Sequence, residues 1–152
     1  MTINTRYLFL DANVFNRYIL QGKLSSLLEK ISIHFPDIEL ITCTELFHEI
    51  ADTCTRERPL NAAKAKGIHN YEELIATQIE VLKFFSDIYI NSAIAIQEEQ
   101  PLADPKDWYI YNLGKQYNVT IISGDRHIRE IREKPFPFID ADDFLSFIRE
   151  TS

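Results

Sequence analysis

The run Thr120-Ile121-Ile122-Ser123-Gly124-Asp125 constrains this chain more than any other stretch. Three β-branched residues in succession leave no polar face, so the run reads as a strand covered on both sides, as in a parallel sheet. The run stops at a glycine, which lets the backbone turn, and a carboxylate follows just past the strand's carboxyl end. That is where open α/β sheets hold their ligands. Near the amino terminus Tyr7-Leu8-Phe9-Leu10 ends in the same way, in Asp11-Ala12-Asn13, and a helical pattern follows. Parallel strands finish on one edge of a sheet, so two strand-end carboxylates point to a shared site.

The intervening chain supplies the crossover helices that parallel strands require. Val14 to Leu20 has apolar residues at helical spacing, with Gly22 as a stop, and Leu24, Leu27, Leu28 and Ile31 mark a second helix face. Ile38 to Ile41 reads as a short strand, and Thr42 or Thr44 as the cap of a helix over Glu45 to Thr55. That helix turns Leu46, Phe47 and Ile50 inward and carries Glu45 and Glu49 on one face, four residues apart. Arg56 to Gly67 reads as a polar connection with short helical content. Its Arg56, Arg58, Lys64 and Lys66 suit either a solvated charge run or a groove for a phosphate backbone. Tyr71 to Phe85 is a long core helix and Ile88 to Ile90 a candidate strand.

In Ala103-Asp104-Pro105-Lys106-Asp107, Asp104 suits a helix cap and Pro105 a first turn. The helix then runs to about Tyr117, and Asp107 in its first turn is favoured by the helix dipole whatever else it does. Arg126, Arg129 and Lys134 follow Asp125 and read either as a solvated helix face or as phosphate contacts. Phe138-Ile139 is a short last strand, and Asp140 or Asp142 caps a closing helix. The expected fold is three-layer α/β/α around a mostly parallel sheet of about five strands, as one domain over residues 1–152.

Composition narrows the function classes. With 152 residues, 45% of them hydrophobic, the chain can bury one sizeable core. A net charge of −7 argues against gripping nucleic acid by overall charge, while leaving room for a local basic patch. No apolar run approaches the length of a membrane span, and the polar start has no secretory pattern, so a cytoplasmic protein without membrane association is expected. Cys43 and Cys54 read as small buried groups rather than a disulfide or metal pair. Four glycines leave no glycine-rich phosphate loop. Acids gathered into one pocket would call for a bound cation, since neighbouring carboxylates repel.

At this point four motifs, in order, resemble those of the PIN-domain ribonucleases, especially their bacterial toxin–antitoxin branch. Leu10-Asp11-Ala12-Asn13-Val14 is similar to the family's opening Asp-x-Asn-Val, and Asp104-Pro105-Lys106-Asp107 to its Asp-Pro-x-Asp. Ile122-Ser123-Gly124-Asp125 resembles its strand-end Thr-Gly-Asp, with serine where threonine is usual, and Ile139-Asp140-Ala141-Asp142-Asp143-Phe144-Leu145 its closing segment. Trp108, Tyr109 and Tyr111 stand where the family has smaller or more polar residues, while Gly114 keeps the small position.

The resemblance implies an acidic site of Asp11, Glu49, Asp107 and Asp125, with Glu45 as the alternative to Glu49 and with Asn13, Ser123 and Asp104 in support. Four carboxylates suit one or two hard cations, Mg²⁺ or Mn²⁺. Two ions about 3.5–4 Å apart can stabilise both the attacking and the leaving oxygen of a phosphodiester. It further implies an RNA substrate, hydrolysed without a His, Ser or Cys nucleophile, and as partners a small antitoxin protein and a second copy of the chain. Two other readings stand beside it. One is a catalytically silent PIN-like module that binds RNA or protein. The other is a phosphatase or phosphotransferase with Asp11 as nucleophile, disfavoured by Asn13 where that chemistry wants a second acid.

Overall fold

The computed structural model describes residues 1–19, 21–91 and 105–150, with the backbone alone for residues 57, 105–107 and 150. Five strands, β1 (Tyr7–Leu10), β2 (Glu39–Cys43), β3 (Ile88–Ile90), β4 (Val119–Ser123) and β5 (Phe138–Asp140), form one sheet in the order β3-β2-β1-β4-β5. Every pairing is parallel, with Leu10 opposite Ile122 and Ser123 opposite Asp140. β4 is buried at every position, as its β-branched run requires. The order reverses at β1, so the ends of β1 and β4 open on the switch point of the sheet, the usual ligand crevice of such folds.

Among the described residues eight helices cover this sheet: α1 (Ala12–Ile19), α2 (Leu24–His34), α3 (Thr44–Cys54), α4 (Glu57–Ala65), α5 (Tyr71–Phe85), α6 (Pro105–Gln116), α7 (Arg126–Arg129) and α8 (Ala141–Glu150). Side-chain alternation along β1 shows how the layers divide. Leu8 lines a small cleft with Leu28, Ile31 and Phe85 of α2 and α5. Its neighbour Phe9 meets the ring of Tyr109 in α6 edge-on, at 6.3 Å between centroids. α1, α2, α3 and α5 pack on one another, α6 packs on β4 and α7, and α8 joins α2 through the stacked Phe35 and Phe144. The result is three layers over a single core. No helix among the described residues is long and apolar enough to cross a membrane.

Several local expectations are corrected. The 56–67 connection is mostly helix, α4: Pro59 sits in the first turn, where its missing N–H is not needed, and alanines fill the rest. Gly67, at φ +76°, ends that helix as Gly22, at φ +65°, ends the α1 region. Neither Thr42 nor Thr44 caps α3, because both hydroxyls are engaged elsewhere, Thr42 with Ser86 at 2.7 Å and Thr44 with Tyr89 at 2.6 Å. Cys43 lies at the end of β2, and it and Cys54 are buried and form no disulfide. Asp140, not Asp142, caps the closing helix, accepting the Asp142 N–H at 2.9 Å, while Asp142 pairs with Arg17. The cap expected of Asp104 lies outside the described residues.

Candidate active site

Asp11 is the buried centre of the strand-end crevice, only 3% exposed. Its own N–H donates to the Ile122 carbonyl at 2.9 Å, which extends the β1–β4 pairing one residue past the strand. Its Oδ1 accepts the Ala12 N–H at 2.7 Å, and its Oδ2 accepts the Ser123 hydroxyl at 2.6 Å. The same Ser123 oxygen accepts the Asp125 N–H at 3.0 Å. One hydroxyl at the end of β4 therefore aligns both strand-end acids. Asn13 performs the matching task from the first turn of α1, its Oδ1 accepting the Gly124 N–H at 3.2 Å.

These two contacts also correct the role read into Gly124. It does not take a left-handed backbone conformation, and a Cβ there would make only ordinary contact with Ala141 and Asn13. The turn into Asp125 is held by the Asn13 and Ser123 side chains, so it needs no glycine freedom. Asp125 then opens α7, its Oδ1 accepting the His127 N–H at 2.8 Å. Its side chain is 28% exposed, and Oδ2 makes no hydrogen bond among the described residues.

Electrostatics single out Asp11. Burial first, then the Glu49 carboxylate, and more weakly that of Asp125, push its carboxyl up to about 7, against the pull of the Ser123 and Ala12 hydrogen bonds. Glu49 is thus the helix α3 glutamate whose charge Asp11 feels. Its Oε2 accepts the Tyr109 hydroxyl at 2.5 Å. Tyr109 is held well above the usual tyrosine range by burial and by the negative charge of Asp11 and Glu49. It therefore stays a phenol, a fixed donor to Glu49. Glu45, one turn earlier, keeps a buried Oε2 without a hydrogen-bond partner among the described residues.

The structure thus brings together Asp11, Asn13, Glu49, Ser123 and Asp125. Asp107 lies in the first turn of α6, and its side chain is outside the described residues, as is Asp104. Among the described residues no three His, Cys, Asp or Glu side chains are arranged to cage an ion. The chemistry of the donors nonetheless fits a hard divalent cation: all are oxygens, and the charges that raise Asp11 are carboxylates. A bound cation would supply the compensation that these acids lack.

The basic residues after Asp125 are engaged locally. Arg126 meets Glu130 at 2.8 Å, Arg129 meets Asp140 at 3.4 Å, and Lys134 donates to the carbonyls of Arg129 and Ile131 at 2.7 and 2.8 Å. Arg56 pairs with Asp52 at 3.3 Å, and Arg58 and Lys64 lie on α4, with Lys66 at its end. The residue that sequence reasoning missed is Tyr109, taken only as bulk crowding α6. The available signal was that a buried tyrosine hydroxyl needs a polar partner, and an acidic site offers one.

With this geometry in view, comparison with family models matches residues 8–134 to the PIN domain, from β1 to just beyond α7. A comparison with curated proteins finds no match.

Proposed function

The chain belongs to the PIN-domain family, in general a family of nucleases, and from that premise we propose that it is a divalent-metal-dependent endoribonuclease, the toxin of a toxin–antitoxin pair. The observation that carries the reading is Asp11: a buried strand-end carboxyl, hydrogen-bonded in place and pressed by two further carboxylates. A structural aspartate is ordinarily matched to a cation or left to solvent, whereas this one is matched to more acid. Such an arrangement is what a divalent-ion site looks like from the protein's side.

Asp11, Glu49, Asp107 and Asp125 would hold Mg²⁺ or Mn²⁺. When bound, the ion supplies Lewis acidity at phosphoryl oxygens and neutralises the clustered carboxylates. The chain's own residues do the positioning. Ser123 keeps Asp11 turned toward Asp125, Asn13 pins the start of α1 to the end of β4, and Tyr109 holds one oxygen of Glu49. With its carboxyl raised to about 7, Asp11 holds a proton near neutrality in metal-free protein, and cation binding would compete with that proton. RNA with unpaired stretches is the substrate class, since its bases can be splayed and held.

The test is cleavage of a mixed RNA pool by purified protein with Mn²⁺. Asp11→Asn and Asp125→Asn should each lower the rate at least about a hundredfold while RNA binding persists. Binding without any cleavage by the parent protein would turn the reading into that of a silent RNA-binding module. The toxin role rests on the motif resemblance, with a small antitoxin and a second copy of the chain as its proposed partners. Growth arrest on expression, relieved by a co-expressed small neighbour, would support it, and unaffected growth would count against it.

A further inference from the structure

We propose that the groove between α1, α2 and α8 is a second anchoring site for polynucleotide phosphates, carrying the length of RNA that runs away from the acidic crevice. This rests on the endoribonuclease reading above and extends it to a surface away from the acids.

The groove encloses about 350 Å³ and is lined by Arg17, Tyr18, Lys23, Lys30 and Arg149, over apolar side chains of α2 and α8. The chain holds 16 Lys and Arg against 23 Asp and Glu, so a surface opening should on average be acidic. Here four cations share one opening, and none of the described lining residues is a carboxylate. Arg17 meets Asp142 at 2.8 Å, with the two side chains 54% and 74% exposed. A pair so open to water is worth little, and the planar guanidinium keeps further N–H donors for a phosphate.

Position favours a nucleic acid over an acidic peptide. α1 begins immediately after Asp11 and carries Arg17 six residues on, about 9 Å of helix rise away. The groove thus starts where a strand leaving the crevice along α1 would arrive. An enzyme of net charge −7 repels its own substrate unless a local patch reverses the field. Evenly repeated phosphates suit a row of lysine and arginine charges, and a partly buried tyrosine beside an apolar floor gives an unstacked base a surface to rest on.

The experiment compares the full chain with Lys23→Ala/Lys30→Ala, which changes two side chains outside the crevice, and with Lys23→Arg/Lys30→Arg, which keeps the charge. Affinity is read by fluorescence anisotropy for labelled single-stranded RNAs of about four and about twelve nucleotides, the span over which a single-strand groove takes its ligand. For the longer RNA the alanine pair should weaken binding about tenfold and flatten the salt dependence by about 1.4 in log–log slope, about 0.7 for each lost phosphate contact. The arginine pair should restore both, and the shorter RNA should be unaffected. Unchanged affinity and slope for the longer RNA would overturn the proposal, as would polyglutamate binding as tightly with the same lysine dependence, which would make the groove a protein-docking site. Cleavage of the short RNA with Mn²⁺ reads the nuclease assignment separately, so either conclusion can fail alone. Thermal melts of both variants matching the parent show that lost binding is not lost folding.

Discussion

At the scale of single residues, Asp11 joins stability to pH. An unfolded aspartate ionises near 3.8 and this one, folded, near 7. Between those values the folded state keeps a proton that the unfolded state releases, so stability present below about pH 4 is lost as pH rises through 7. The span corresponds to roughly 4 kcal/mol. Asp11→Asn cannot ionise, so in metal-free protein its melting temperature should gain on the parent by several degrees between about pH 5 and pH 8. A difference that stays flat with pH would assign the titration to another group. Tyr109→Phe addresses the residue that anchors Glu49. Losing the phenol leaves a partly buried carboxylate oxygen without its donor, at a cost of about 1–3 kcal/mol in a denaturant melt. Cleavage should fall about tenfold, and Glu49→Gln should cost less in the Tyr109→Phe background than alone. Additive losses would show that the two side chains act apart.

At the scale of elements, the contact between α6 and the segment before β5 is the most exacting. A Cβ added at Gly114 would lie 2.2 Å from the Phe136 ring, which is itself buried. Gly114→Ala should therefore destabilise by about 1–3 kcal/mol through overpacking, despite alanine's better helix propensity. Combining it with Phe136→Leu should recover part of the loss, and a chemical-denaturation series of the four proteins measures it. Which elements were readable from the chain follows the same physics. β4 and α5 have unbroken patterns set by local periodicity, and their boundaries came out close to expectation. α4 was read only as a connection with short helical content because charged residues and Pro59 mask a helix that alanines support. The caps expected of Thr42 and Thr44 failed because a hydroxyl's partner is chosen by what folds next to it, here Ser86 and Tyr89.

For the molecule as a whole, the proposed function makes a divalent cation in the acidic crevice a stabilising ligand. Mn²⁺ at about a hundred times its Kd should add about 2.7 kcal/mol to the parent protein near pH 8. The gain should disappear in Asp11→Asn/Asp125→Asn and shrink near pH 5, where the Asp11 proton competes with the metal. Differential scanning calorimetry with and without a chelator measures both, and equal gains in the parent and the double variant would remove the ion from the crevice.

The amino-acid sequence alone determined the parallel sheet and the strand ends at Asp11 and Asp125, because burial on both faces writes itself into a β-branched run and because such runs finish on one edge. It also carried the motif resemblance that anticipated the family. Tertiary structure alone decided that Ser123 spans the two acids, that Glu49 is the glutamate pressing on Asp11, that Tyr109 holds Glu49, and that three cations from three helices, with Lys23 just before α2, line one groove. Those relations join residues far apart in the chain, and no local periodicity records which distant side chain a hydroxyl or a charge will meet once the layers have packed.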